Sequence, residues 1–161
     1  MKRILIVDDA LELGRMLRAA VETLGAGLEV KLFPSAEEAL METAHLPLDL
    51  LIADIRLPGI TGLDLARRLR ERSSEIKILL ITGLTAKDLD AKAGAAGADR
   101  FLRKPFLMSE FMAAASDLLG LNQPESTQSQ AVPAAEEPPA PAIDLSGILQ
   151  RVRKGLGAAL G

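Results

Sequence analysis

The chain has 161 residues, room for one domain of ordinary size and an appendage. Its 22 acidic and 19 basic side chains leave a net charge of −3, so no direct contact with a polyanion such as nucleic acid is expected. It has no cysteine, which excludes disulfides and thiolate chemistry, and no apolar run near the roughly 18–20 residues that span a bilayer; a soluble, cytoplasmic protein is the expectation.

The first predicted element is a strand over 3–7, whose Ile4-Leu5-Ile6-Val7 stops on Asp8-Asp9. Two carboxylates about 4 Å apart repel by roughly 4 kcal/mol at an effective dielectric near 20, so the pair asks for something positive between them. Taken alone, Asp9 could cap the following helix, with Glu12 at the capping-box position. That helix is predicted over 10–24 and leads to a strand over 28–33, which ends on Phe33-Pro34 and contributes no polar group. Ser35 then precedes Glu38 by three and caps a helix over 36–44.

A strand over 48–53 delivers Asp54, followed by the turn residues Leu57-Pro58-Gly59 and a helix over 63–72 with Leu63, Ala66 and Leu69 on one face. A strand over 76–81 delivers Thr82. Thr85, with Asp88 three residues on, caps a helix over 86–95 that carries little bulk and nearby glycines, each costing about 1 kcal/mol in a helix interior. The last strand, 98–102, runs into Arg103-Lys104-Pro105, and a final helix runs from there to about 119. Five βα units in succession, with strands apolar throughout, imply a doubly wound parallel sheet covered on both faces.

The domain is expected over 1–121. Residues 122–142, rich in Pro, Ala, Gln, Ser and Glu, read as a disordered linker. Residues 143–161 recover helical spacing at Leu145, Leu149, Val152, Leu156 and Leu160, a short amphipathic segment suited to protein docking, with a membrane-surface contact as the weaker alternative.

In an open parallel sheet, ligands bind beyond the carboxyl ends of the strands. Those ends carry Asp8 and Asp9, Asp54, Thr82 and Lys104: three acids, a hydroxyl and an ammonium from four strands. Three acids in one cleft need a divalent cation, and oxygen-only ligands favour Mg²⁺. With Lys104 and Thr82 beside it, Asp54 could accept a transferring phosphoryl group as an acyl phosphate, while Asp8 and Asp9 hold the metal. Each residue alone has a plainer reading: Thr82 as a strand end, Lys104 as a solvated charge, Asp54 as a turn former. Their convergence on one rim carries the functional one. The lone histidine, His45, falls at the other end of the sheet and reads as a surface loop residue.

The blocks ILIVDD, LLIADIRLPGITG, ILLITG and ADRFLRKPF, in this order and spacing, resemble the response regulator receiver domain of two-component signalling over residues 1–121. The resemblance implies a flavodoxin-like strand order 2-1-3-4-5, phosphorylation of Asp54 by a histidine kinase or phosphotransfer protein, and a downstream protein target. It implies Asp9 as a direct Mg²⁺ ligand, Asp8 acting largely through water, and the backbone carbonyl of Arg56 as a further ligand. It implies Thr82 and Lys104 as the phosphoryl-binding hydroxyl and lysine, a cis peptide at Pro105, and Phe101 as the switch aromatic, here without a phenol oxygen. Catalysis is then confined to self-phosphorylation and slow hydrolysis, which Arg56 and Leu84 would tune. Two other classes stay open: an adaptor of the same fold that is never phosphorylated, and a Mg²⁺-dependent enzyme working through an aspartyl phosphate. The second lacks the Asp-x-Asp pattern that haloacid-dehalogenase-type phosphotransferases carry, since the acids read Asp8-Asp9-Ala10 and Asp54-Ile55-Arg56.

Overall fold

Alternation along the strands decides the architecture. In the structure, a computed structural model that describes residues 1–83 and 96–121, β1 (Lys2–Val7) sends Leu5 and Val7 to one side and Ile4 and Ile6 to the other. β3 (Leu50–Asp54) and β4 (Lys77–Thr82) repeat the pattern, with Leu51, Ala53, Ile78 and Leu80 on the first side and Leu50, Ile52, Leu79 and Ile81 on the second. Strands apolar on both faces must be covered on both. α2 (Ala36–Glu42) and α3 (Gly62–Arg72) cover the first with Ala36, Ala39, Leu65, Ala66 and Leu69. α1 (Leu11–Glu22) and α4 (Met108–Leu119) cover the second with Leu17, Val21, Phe111 and Ala115. Each fully buried Leu or Ile is worth about 1.5–3 kcal/mol, which makes the three central strands the stable frame.

β2 (Leu28–Phe33) and β5 (Arg100–Arg103) complete a five-stranded parallel sheet in the order β2-β1-β3-β4-β5. The chain winds outward from β1 in one direction to β2 and in the other through β3, so the order reverses between β1 and β3. That reversal opens a crevice at their carboxyl ends.

Local chemistry sets the helix starts. Ser35 Oγ accepts from the Glu38 amide at 3.3 Å, as its spacing predicts. Thr61 caps α3 reciprocally: its Oγ1 accepts from the Asp64 amide at 3.2 Å and donates to Asp64 Oδ2 at 2.7 Å. α1 starts after Ala10 with no side-chain cap, so Asp9 does not serve as one. Element ends differ from the expectations by one or two residues. β3 starts at Leu50 rather than 48 and β5 at Arg100 rather than 98. α1 stops at Glu22 because the amides of Thr23 and Leu24 turn to the carbonyls three residues back. The helix expected over 86–95 with its Thr85–Asp88 cap, the residue Leu84, the linker over 122–142 and the segment over 143–161 all lie outside the described residues.

Candidate functional site

Parallel register brings the strand ends together. Val7 pairs with Ala53, so one further step along β1 sets Asp8 beside Asp54. Asp54 in turn pairs with Ile81, the neighbour of Thr82. Strand alternation carries Asp8 and Asp54 onto the α1/α4 side, continuing from Ile6 and Ile52. Beyond β5, the Lys104 amide donates to the Thr82 carbonyl at 2.7 Å, and the Lys104–Pro105 peptide is cis, as the resemblance implied.

The side chains form one constellation. Asp8, Asp9 and Asp54 each bring a carboxylate oxygen within 4.8 Å of the others. Lys104 Nζ donates to Asp54 Oδ2 at 2.5 Å, while the Arg56 amide donates to Asp54 Oδ1 at 2.8 Å. Both oxygens of Asp54 therefore accept a hydrogen bond, and its side chain is only 9% exposed. Asp8 is buried and spends Oδ1 on the Ala10 amide at 2.8 Å, but its Oδ2 is buried with no hydrogen-bond partner among the described residues. Burial pushes the Asp8 carboxyl above the ordinary aspartate range; the Ala10 amide and Lys104 pull it back, and the charges of Asp54 and Asp9 add to the rise. Asp9 is exposed at the rim.

An orphaned buried carboxylate oxygen, two further acids within 4.8 Å and an oxygen-only donor set fit a hard divalent cation. Such an ion would give Asp8 Oδ2 the partner it lacks among the described residues.

Thr82 is fully buried at the end of β4. Arg56 is exposed and lays its guanidinium beside Gly83, where an added Cβ would meet Nη2 at 3.0 Å. Phe101 does not join the acids: it packs, partly buried, among the side chains on the α2/α3 side of the sheet. His45 is exposed and lines an open cleft of about 800 Å³ with Lys2, Asp49 and Lys77, residues at the strand starts, far from the acids.

The loop after Asp54 is held at close quarters. The Gly62 amide donates to the Ile55 carbonyl at 3.0 Å, and a Cβ at Gly62 would lie 2.1 Å from the Asp54 carbonyl oxygen. Only glycine lets α3 start this near the strand. β2 brings no polar side chain to the rim, but the β2–α2 junction contributes through its backbone and through α2. The Asp8 amide donates to the Phe33 carbonyl at 3.1 Å, and Glu37 Oε1 accepts from the Ile60 amide at 2.8 Å. Sequence reasoning missed Glu37, because its only local signal is that of an acid in the first turn of a helix.

The family model for the response regulator receiver domain matches residues 4–116. The chain is 38% identical over 129 residues to the cyclic di-GMP phosphodiesterase response regulator RpfG of Xanthomonas campestris pv. campestris, a match covering 79% of this chain and 34% of that protein. It is 35% identical over 112 residues to the response regulator receiver protein CpdR of Brucella abortus, covering 70% of this chain and 92% of that one. The chain thus spans a third of the first relative and nearly all of the second. Among solved structures it is similar to the chemotaxis protein CheY4 of Vibrio cholerae, with a TM-score of 0.66 and 27% identity over 74% of this chain and 99% of that one.

Proposed function

Because the chain belongs to the response regulator receiver domain family, we propose that it accepts a phosphoryl group on Asp54 from a histidine kinase or phosphotransfer protein and relays it as a change in binding to a protein target. The observation that carries this reading is the meeting of three carboxylates within 4.8 Å with Lys104 seated on one of them. Asp9, Asp8, Asp54 and the backbone carbonyl of Arg56 would hold Mg²⁺. Bound there, the ion would neutralise charge on the acids and on the arriving phosphoryl oxygens.

The chain's own residues have definite tasks. Asp54 is the nucleophile: one of its oxygens forms a bond to phosphorus as the N–P bond of the donor phosphohistidine breaks. The bonding pair stays on the imidazole nitrogen, which is then protonated by water. Lys104 exchanges Asp54 Oδ2 for an oxygen of the incoming group, so its ammonium follows the negative charge from carboxylate to phosphoryl. Thr82, at the end of the neighbouring strand, donates its hydroxyl to the same group. Burial of Asp54 limits attack by bulk water on the acyl phosphate, and Arg56, exposed beside Gly83, further restricts the approach. Phe101 has no hydroxyl, so any phosphorylation-linked change at that position works through packing against the α2/α3-side core.

The test is direct. Incubation of the chain with acetyl phosphate and Mg²⁺ gives a single phosphoryl adduct in the intact mass, mapped to Asp54 and absent in Asp54→Ala. If neither acetyl phosphate nor a phosphorylated histidine donor yields an adduct, the proposal fails.

A further inference from the structure

Beyond the Ile55 amide, which still donates to the Ile81 carbonyl of β4 at 2.9 Å, three hydrogen bonds shape the arch from Asp54 to α3. Two of them stay within the segment: Arg56 amide to Asp54 Oδ1, and Gly62 amide to the Ile55 carbonyl. The third reaches in from outside. Glu37, in the first turn of α2 and 23 residues earlier in sequence, accepts from the Ile60 amide at 2.8 Å. Its carboxylate occupies the space above Gly59, whose φ is +74°, and a Cβ at Gly59 would lie 2.3 Å from Glu37 Oε1. The Ile60 amide holds the Glu37 carboxyl below the ordinary glutamate range, the mark of a bond made to the charged form.

We propose that Glu37 is a positioning residue for the cation site: by fixing Ile60 it sets the conformation of the loop from Arg56 to Thr61, and so the placing of the Arg56 backbone against the three acids. The inference rests on the function proposed above. It follows from what the loop otherwise lacks. Residues 57–60 include a proline and a positive-φ glycine, and among the described residues neither makes a hydrogen bond that would fix where the arch lies over the rim. A carboxylate acceptor suits the task because a charge-assisted bond is roughly twice as strong as a neutral one. Glu37 also sits on α2, whose Ala36 and Ala39 are packed against the sheet, so the loop is referred to the rigid frame rather than to itself.

Three substitutions separate positioning from general stability. Glu37→Ala removes the acceptor, Glu37→Gln keeps an oxygen that can accept from Ile60, and Glu38→Ala removes the neighbouring exposed acid as a control. In the metal-free chain, amide hydrogen exchange at Ile60 should accelerate most in Glu37→Ala, only slightly in Glu37→Gln, whose neutral oxygen still accepts the bond, and stay at the parent rate in Glu38→Ala. Mg²⁺ affinity, measured by calorimetry, should weaken roughly tenfold in Glu37→Ala, the low end of what loss of a supporting partner costs a metal site, and should change less than about twofold in Glu37→Gln and Glu38→Ala. A Glu37→Ala chain that binds Mg²⁺ as tightly as the parent overturns this inference alone. Absence of Mg²⁺ uptake by the parent overturns the proposed function and this inference with it.

Discussion

Removing the charge of Asp8 should stabilise the metal-free protein while abolishing most of its response to Mg²⁺. The magnitude follows from the surroundings of the side chain. Asp8 Oδ2 is buried and has no partner among the described residues, and leaving a buried acceptor unsatisfied costs about 1–3 kcal/mol. Carboxylates lie within 4.8 Å, where two unit charges repel by about 3.5 kcal/mol at an effective dielectric near 20 and by about 0.9 kcal/mol in water. Lys104 offsets much of the Asp54 charge, and water screens exposed Asp9. In Asp8→Asn, Oδ1 still accepts from the Ala10 amide, and the new NH₂ can donate to a neighbouring carboxylate. The expected gain is about 2–3 kcal/mol, or roughly 6–12 °C in Tm for a domain of this size. The sign with pH is fixed by the raised Asp8 value. Its charge burdens the fold once the pH exceeds the unfolded value, fully so above the folded one, so the gap between variant and parent should shrink toward zero as the pH falls to about 4. At 100 times the dissociation constant, Mg²⁺ should return about 2.7 kcal/mol to the parent and far less to Asp8→Asn, bringing the two Tm values together. The chain has no Trp or Tyr, so the assay is thermal melting by far-ultraviolet circular dichroism in EDTA and in Mg²⁺. A variant that melts at or below the parent in EDTA at neutral pH would refute the reasoning.

Lys104→Ala should slow phosphorylation by acetyl phosphate about a hundredfold, the cost of losing one preorganised charge-stabilising donor, while Mg²⁺ binding measured by calorimetry persists; an unchanged rate would count against the proposed role. Gly62→Ala should cost about 3 kcal/mol in urea unfolding, despite alanine's better helix propensity, because the new Cβ would lie 2.1 Å from the Asp54 carbonyl oxygen and 2.9 Å from Ile55 Cα, both backbone atoms. A midpoint equal to the parent's would show that α3 can retreat. Glu37, whose carboxyl is held low, contributes stability that is present above the ordinary glutamate value and lost as the pH falls through the lowered folded value. Glu37→Gln should therefore be less stable than the parent at pH 7 and converge with it in acid, and parallel pH–stability curves would contradict this.

Much of the site is legible in the sequence because strand ends are set by a short-range rule. A strand apolar on both faces can stop only where a polar residue arrives, so Asp8, Asp54 and Thr82 announce themselves one residue after Val7, Ala53 and Ile81. Parallel winding then carries all such ends to one rim, and no further knowledge is needed to bring Lys104 onto Asp54. The capping of α2 by Ser35 is legible for the same reason, being decided within three residues. Asp9 shows where such local rules mislead. Asp9 with Glu12 fits the capping-box spacing, yet no side chain caps α1: Asp8 takes the Ala10 amide, and Asp9 stays at the rim.

Glu37 was not legible, and the reason is physical. Its partner is 23 residues away, and the contact depends on how far the arch after β3 leans toward α2, a distance that neither segment encodes alone. The arch leans that way because Gly62 lets α3 begin against the Asp54 carbonyl, and because Gly59 adopts a positive φ that leaves its Cα face open to a carboxylate. Two glycines and one glutamate thus form a single device: with a side chain at either glycine, Glu37 could no longer reach Ile60 in the present geometry. Asp54 is aimed by the sheet, but the backbone just beyond it is aimed by α2. A perturbation of the β2–α2 junction should therefore reach the acids through the loop while leaving the strands in place.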